Sequence, residues 1–164
     1  GVKPAAYLTA TGVIGVLATT RTLESERFLR LVGNHANHRQ VVVQPCPGLA
    51  EAIEMQGPES AEVAALLDLY VAPLAAAGVD VVVLGCTHYP WVAAAIVQRM
   101  PTGVTLLDTG EPVAKQLERL LGAANLLGGG QGRLTLATSG APQQVSVTVD
   151  RLFGAKMHVE HWEP

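Results

Sequence analysis

The sequence DVVVLGCTHYP, residues 80–90, combines an apolar run with a short polar loop. Val81, Val82, Val83 and Leu84 follow one another without a polar residue, which is typical of a strand covered on both faces in a parallel sheet. Pro90 is favourable in the first turn of a helix, and a helix is predicted over Pro90 to Met100. The segment therefore predicts a strand–loop–helix unit whose loop is Gly85 to Tyr89.

The same alternation extends along the chain in both directions. Short apolar runs predict strands at Val13–Ala18, Val41–Gln44, Asp80–Leu84 and Val104–Leu107. Predicted helices follow them: one capped by Thr22 and ending near Gly33, one with Pro47 in its first turn, one over Glu59–Ala77 bent near Pro73, and one over Glu111–Leu121. Such repeats favour the α/β class, with a mostly parallel sheet flanked by helices.

A carboxy-terminal βα segment follows a glycine-rich stretch, GAANLLGGGQG, which is typical of a flexible connection. It is predicted to contain a strand over Arg133–Thr138, a helix over Pro142–Phe153 and a strand over Lys156–His161. These residues are too few to form a stable core of their own.

Composition excludes several classes of protein. Of 164 residues, 49% are hydrophobic and 15% charged, which is unlike a disordered chain. A net charge of -3, 4% aromatic residues and the lack of a basic run argue against nucleic-acid binding, and no apolar run is long enough to span a membrane. Two cysteines cannot form a disulfide framework, and no secretion signal is recognised, so a reduced, cytoplasmic setting is expected.

The loop after the central strand carries the best candidate for chemistry. Ligands bind at the carboxyl ends of parallel strands, where Cys86, Thr87 and His88 are predicted to lie. A thiol just before a helix amino terminus, with a histidine beside it, is placed to ionise, although a cysteine at a strand end is more often a packing residue. Cys46, between two prolines, is interpreted as structural. No spacing of His35, His38, His158 and His161 predicts a zinc site, and no phosphate-binding glycine loop is recognised.

Four blocks, in order, resemble the glutamate racemase family among the aspartate/glutamate racemases. They are VIGVLATTRTLES at 13–25, CPGLAEAIE at 46–54, DVVVLGCTHYP at 80–90 and LLDTGEPVA at 106–114. The resemblance implies interconversion of L- and D-glutamate for peptidoglycan synthesis by thiol acid/base chemistry, with neither a pyridoxal cofactor nor a metal. His88 directly after Thr87 favours the glutamate branch of the family.

The resemblance also implies roles for individual residues. Cys86 corresponds to one of the family's two catalytic thiols, with His88 and Thr87 binding substrate and poising the thiol. Thr22 and Thr19 are expected to contact substrate, and Glu54 to support its amino end. Because racemisation removes a proton from one face of the α-carbon and returns one to the other, a single thiol cannot serve both faces.

The chain departs from the family because the Asp-Ser-Gly and Cys-Asn-Thr segments of the amino-terminal half do not occur in it. Residues 1–107 are expected to form one racemase-like domain, and residues 108–164 a return segment that completes the missing amino-terminal domain. The isolated chain is then an incomplete enzyme that needs the absent half or pairs as a homo-oligomer. Replacement of the missing thiol by Cys46, a non-catalytic binding or assembly module, and a thiol hydrolase using Cys86 and His88 remain alternatives.

Overall fold

The structure, a computed structural model, describes residues 1–36 and 38–163. The helices are α1 Val2–Leu8, α2 Thr20–Leu23, α3 Glu26–His35, α4 Leu49–Gln56, α5 Ala61–Ala76, α6 Ala93–Gln98, α7 Gly110–Ala123 and α8 Pro142–Phe153. The strands are β1 Val13–Ala18, β2 Gln40–Pro45, β3 Val81–Leu84, β4 Thr105–Leu107, β5 Leu136–Thr138 and β6 Val159–His161. A 3₁₀ helix spans Tyr89–Val92, between β3 and α6.

A four-stranded parallel sheet organises residues 1–116, with the strand order β2-β1-β3-β4. The register pairs Leu17 of β1 with Leu84 of β3, so the carboxyl ends of the two central strands lie side by side. Every residue of β3 is buried, whereas β2, at the edge, is partly exposed. The predicted α/β class with a parallel sheet is confirmed.

Helices cover both faces of this sheet. On one face, Val2 and Ala6 of α1 and Phe28 of α3 join a core cluster with Val16 and Val83 of the sheet. On the other face, Leu74 of α5 lies against β1, close to the backbone of Gly15. Helix α1 is not predicted from the sequence, because the residues that it buries are too few and too small to produce a clear helical hydrophobic period. They are Val2, Ala5 and Ala6.

The segment after β1 contains two short helices where one was predicted. The Thr19 hydroxyl accepts a hydrogen bond from the Thr22 amide at the start of α2, and the Ser25 hydroxyl caps α3 by accepting one from the Phe28 amide. The prediction that Thr22 caps a single helix is therefore wrong. Hydroxyl residues at Thr19, Thr22 and Ser25 all suit a cap, and tertiary packing chooses among them.

Pro47 and Pro73 take different positions relative to their helices. Pro47 lies before α4 rather than in its first turn, because Gly48 adopts a left-handed φ of 76° and the helix begins at Leu49. Helix α5 is continuous through Pro73, as predicted for the segment Glu59–Ala77. Pro73 stands in the last turn of α5, and because proline has no N–H, position 73 does not donate the helical hydrogen bond to the Leu69 carbonyl.

Residues from Leu117 onward form a second compact unit with a much smaller core. It contains a parallel pair, β5 and β6, connected by α8, which confirms the predicted strand–helix–strand order. Within its described part, Val159 is the one buried hydrophobic residue. The division after Gln116 falls inside α7, whereas the boundary predicted from the family resemblance lies after Leu107.

Within residues 1–36 and 38–163, no helix combines the length and the apolar character needed to cross a membrane.

Candidate active site

The site residues lie at the carboxyl ends of the two central strands. Thr19 and Thr22 follow β1, and Cys86 follows β3 after Gly85. Because β1 and β3 are paired neighbours, their loops open on the same edge of the sheet. The parallel topology therefore brings together residues that are far apart in sequence.

A pocket of about 230 Å³ opens at this edge, and we call it the Cys86 pocket. Its polar lining comes from Thr22, Cys86, Thr87 and Thr109. Its apolar walls are formed by Val2, Val16, Ala18, Phe28, Leu31 and Val83. No Asp, Glu, Lys or Arg side chain is among the described residues that line it, so hydroxyl, thiol and backbone groups, with the terminal amine of Gly1, supply its polarity.

Cys86, His88 and Glu54 form a continuous chain of polar contacts. The Cys86 Sγ lies 3.6 Å from Nδ1 of His88, and the opposite ring nitrogen, Nε2, lies 2.5 Å from the Glu54 Oε1. The His88 side chain is 27% exposed and that of Glu54 45% exposed, so the chain runs from the partly buried thiol out to solvent.

The carboxylate determines how the imidazole can act. An ionised carboxylate only accepts hydrogen bonds, so Nε2 of His88 carries a proton that it donates to Glu54. In the neutral ring, Nδ1 is then the acceptor and is directed at the thiol of Cys86. The arrangement allows His88 to take the thiol proton while Glu54 stabilises the resulting imidazolium.

The two threonines after β1 are linked to each other. The Thr19 and Thr22 hydroxyls lie 2.8 Å apart, and either can donate. Thr22 lines the Cys86 pocket, whereas Thr19 holds Thr22 in place and caps α2. A hydroxyl at Thr22 is thus available to a ligand carboxylate or amine.

The second cysteine is in a different environment. Cys46 is 2% exposed, and its Sγ–H donates to the carbonyl oxygen of Gln44 at 3.4 Å. Burial raises the pKa of the Cys46 thiol from 9.0 to about 11. It remains protonated near neutrality, which agrees with its interpretation as a structural residue and gives no support to its replacing a catalytic thiol.

The helical segment after the Cys86 loop begins as a 3₁₀ helix rather than as an α-helix. Thr87 and His88 separate Cys86 from the 3₁₀ helix Tyr89–Val92, and α6 begins at Ala93. The helix predicted over Pro90–Met100 is therefore present, but its first turn is a 3₁₀ helix and the regular α-helix covers only Ala93–Gln98. The observed contact that bears on the thiol is the His88 ring rather than the end of an α-helix.

The predicted site residues thus form two connected groups. Thr22, Cys86 and Thr87 line the pocket, while His88 and Glu54 reach the thiol from beside it. Thr109, which follows β4, also lines the pocket and was not named as a candidate. Its signal was present, since it belongs to the LLDTG block and follows the last strand of the sheet.

A larger cleft, of about 330 Å³, lies elsewhere in the same unit, between the start of α5 and α6. Ser60, Trp91 and Arg99 are among its lining residues, and none of the predicted site residues is. Arg99 is already engaged by Asp68, with 2.6 Å between Nε and Oδ1. Because the larger cleft does not contain Cys86, cavity size does not identify the candidate site, and we choose the Cys86 pocket by the chemistry of its residues.

Comparison with known proteins gives consistent results. Residues 2–117 match the model of the Asp/Glu/Hydantoin racemase family. A glutamate racemase from Pseudomonas syringae pv. tomato is 51% identical over 135 residues, which is 82% of this chain and 49% of the relative.

Solved structures agree on the fold. Glutamate racemase isoform RacE1 from Bacillus anthracis superposes with a TM-score of 0.86 at 24% identity, over 99% of this chain and 63% of the other. The Escherichia coli glutamate racemase, solved with L-glutamate and the activator UDP-MurNAc-ala, gives 0.81 at 24% identity, over 98% and 61% of the two chains.

The chain spans about half the length of the P. syringae relative. The family model nevertheless covers most of this chain, including the strand ends that carry Thr22, Cys86 and Thr109. The protein belongs to the Asp/Glu/Hydantoin racemase family.

Proposed function

We propose that this chain supplies one of the two catalytic half-sites of a glutamate racemase, with Cys86 as its acid/base thiol. The observation that carries the proposal is the Cys86–His88–Glu54 chain beside a pocket at the sheet edge. The P. syringae relative, a glutamate racemase, and the L-glutamate in the E. coli structure support glutamate as the substrate. In a cell, D-glutamate from this reaction would enter peptidoglycan synthesis.

In the proposed reaction the α-carbon of glutamate faces the Cys86 sulfur. As a thiolate, Cys86 removes the α-proton from one face, while a thiol on the other face donates a proton to the same carbon. In the reverse direction, Cys86 is the donor. No atoms are gained or lost, and each turnover leaves the two thiols with exchanged protonation states.

His88 and Glu54 maintain the reactive form of Cys86 in this proposal. The thiol passes its proton to Nδ1 of His88, and the imidazolium is stabilised by Glu54 through Nε2. Glu54 thus acts on His88, rather than on the amino end of the substrate as the family resemblance implied. Glu54 is not among the described residues that line the Cys86 pocket, which supports this role.

Hydroxyl groups are the proposed substrate anchors. Thr22, Thr87 and Thr109 line the pocket around Cys86, and hydroxyls donated to a carboxylate would stabilise the negative charge that develops when the α-proton leaves. Thr19 would keep the Thr22 hydroxyl oriented through their 2.8 Å contact. In this proposal neither a pyridoxal cofactor nor a metal takes part, and the family resemblance is the support for that.

The other face of the substrate needs a second thiol, which we propose comes from a complementary half of the enzyme. Two observations support this partner. Matched relatives are about twice the length of the aligned region, and Leu120, Phe153 and Trp162 are among many large apolar side chains exposed after residue 116. Without that half, a homo-oligomer would cover the same surfaces. Both cysteines are free thiols, which fits a reducing cytoplasm.

The test is exchange of the α-proton. The chain is incubated with L-glutamate in deuterium oxide, alone and with a separately produced amino-terminal half of the P. syringae relative. Deuterium at the α-carbon is followed by NMR, and D-glutamate by chiral chromatography. We expect both to depend on the mixture and to disappear when Cys86 is replaced by Ala.

Two controls make the result interpretable. Cys46→Ala is expected to retain exchange, because this buried thiol takes no part in the proposed reaction. Exchange that survives Cys86→Ala would refute the role of Cys86. A mixture that forms a stable complex without exchange would instead support the binding or assembly module.

The Cys86–His88–Glu54 chain also favours a second candidate, a thiol hydrolase in which Cys86 attacks an acyl group. That reaction passes through an acyl-enzyme. A burst of product from an activated ester, lost in Cys86→Ala, would favour the hydrolase, and its absence would count against it.

A further inference from the structure

Gly85 connects the central strand β3 to Cys86, and the space around it is unusually restricted. A Cβ atom placed on Gly85 would lie 2.8 Å from the Cβ of Ala18 and 3.0 Å from the carbonyl oxygen of Leu17. Carbon atoms in contact are normally separated by about 3.5–4.0 Å, so a side chain here would force a movement of roughly 0.7 Å or more.

The neighbours of Gly85 cannot move away easily. Leu17 and Ala18 are both fully buried at the end of β1. The Leu17 carbonyl accepts a hydrogen bond from the Gly85 amide at 2.8 Å, and the Ala18 carbonyl accepts one from the Cys46 amide at 2.9 Å. The end of β1 is therefore held between β3 and the loop after β2, and a displacement would fall on the Gly85–Cys86 segment.

The far end of the same loop is held independently. His88 is bound to Glu54 of α4, and the next residue, Tyr89, is completely buried. Cys86 lies between these two attachments. If Gly85 moves away from Ala18, Cys86 moves relative to a histidine that stays with α4, and the 3.6 Å contact between Sγ and Nδ1 is lost.

We propose that Gly85 is a positioning residue of the active site, and that its lack of a side chain against Ala18 sets the distance between Cys86 and His88. Its backbone φ is not in the left-handed region, so the requirement is for space rather than for a conformation that only glycine adopts. The inference rests on the proposed role of Cys86, but its test does not depend on turnover.

The readout is the rate at which Cys86 is alkylated by iodoacetamide, followed by peptide mass spectrometry across pH 6–10. In the parent chain, His88→Asn is expected to slow alkylation near pH 7 by about tenfold, because the thiol loses the ring nitrogen that accepts its proton. In the Gly85→Ala background, the same His88→Asn change is expected to have almost no effect. This loss of coupling is a result that a change in general stability would not produce.

Rescue is the second part of the test. Ala18→Gly removes the Cβ that lies 2.8 Å from the site of the new methyl group, so Ala18→Gly/Gly85→Ala is expected to regain part of the His88 dependence. Recovery is partial because the Leu17 carbonyl still crowds the position. Gly33→Ala is the matched control, since a Cβ at Gly33 meets nothing within 4 Å, and it is expected to leave the coupling unchanged.

Circular dichroism and urea unfolding accompany each variant. If Gly85→Ala does not fold, the rescued double variant is compared with Ala18→Gly alone, and equal coupling to His88 in the two would overturn the proposal. Full coupling in a folded Gly85→Ala chain would overturn it as well. The two proposals can fail separately. If Gly85→Ala loses the His88 dependence of alkylation while the parent chain, mixed with the amino-terminal half, shows no α-proton exchange, the proposed racemase is refuted and the positioning role stands.

When the chain is mixed with the amino-terminal half, the movement of roughly 0.7 Å caused by Gly85→Ala is expected to lower kcat by about 10–100-fold, with a smaller change in KM. A change confined to KM would contradict a positioning role.

Discussion

The Glu54 carboxylate lies 2.5 Å from Nε2 of His88, although 34 positions separate the two residues. Glu54 projects from α4 and His88 from the loop after β3, so the contact exists only when the two βα units are packed together. It fixes the ring so that Nδ1 is directed at Cys86. Reactivity of this thiol is therefore expected to depend on a carboxylate that it does not touch.

Replacing Glu54 with Gln is expected to slow alkylation of Cys86 near pH 7 by about tenfold, since a neutral amide no longer orients and stabilises the His88 ring that accepts the thiol proton. The measurement is the pH–rate profile with iodoacetamide. Glu51→Gln, on the same helix but exposed, is the matched control and should leave the profile unchanged. An identical profile in Glu54→Gln would mean that the carboxylate does not influence the thiol.

Cys46 is expected to make stability depend on pH in the alkaline range. Burial raises the pKa of its thiol from 9.0 to about 11, so between these values the folded state holds the proton more tightly than the unfolded state. This contribution to stability is complete below pH 9 and is lost as the pH rises toward 11. Urea unfolding from pH 7 to 10.5 should show a flatter decline in Cys46→Ala than in the parent chain. Equal slopes would contradict the assignment.

Asp80 is expected to stabilise the unit from the opposite edge of the sheet. Its carboxylate accepts hydrogen bonds from the Thr9 hydroxyl at 2.6 Å, the Ala10 amide at 2.7 Å and the Thr11 amide at 2.9 Å. Desolvation raises the pKa of Asp80, but these hydrogen bonds outweigh it and lower the pKa from 3.8 to about 2. The contribution to stability is present above pH 3.8 and is lost as the pH falls toward 2.

Asp80→Asn is therefore expected to lower the free energy of unfolding at pH 7 by about 1.5–3 kcal/mol, the range for a hydrogen bond to a charged group. It should also flatten the fall in stability between pH 4 and pH 2. Asp68→Asn provides the comparison, because its ion pair with Arg99 is on the surface and should be worth less than about 1 kcal/mol. Equal effects of the two variants in urea unfolding at pH 7 would argue against a special role for Asp80.

The unit from Leu117 onward is expected to associate with itself when no partner is present. Leu120 and Phe153 are 51% and 61% exposed, and such apolar side chains lose contact with water when surfaces pair. Leu120→Lys/Phe153→Lys should reduce the mass measured by light scattering at high protein concentration. Glu118→Lys changes charge at an exposed position of the same helix and should not. A monomeric parent chain at every concentration would refute the expectation.

Much of the first unit was predictable from local patterns. Uninterrupted apolar runs rich in β-branched residues identified β1 and β3, because residues buried on both faces of a sheet need no polar alternation. The errors lie at helix ends. Competing hydroxyl caps at Thr19, Thr22 and Ser25 are not distinguished by spacing, and the left-handed turn at Gly48 moved the start of α4 beyond Pro47.

The site was predicted in its residue types but not in its connections. Cys86, Thr87 and His88 were recognisable because they follow a buried strand, where loops of a parallel sheet hold ligands. The contact between Glu54 and His88 depends on the packing of α4 beside the loop, which local sequence does not specify. Thr109 lines the pocket because β4 lies next to β3, and this strand order is not visible in local sequence.

Local sequence was enough to specify the parallel strands and the thiol after one of them, since side-chain burial and turn residues act over a few positions. The order β2-β1-β3-β4, the close approach of Gly85 to Ala18 and the carboxylate behind His88 depend on segments tens of residues apart. Distances across such segments are set by how the helices and strands pack, and no pattern of neighbouring residues encodes them.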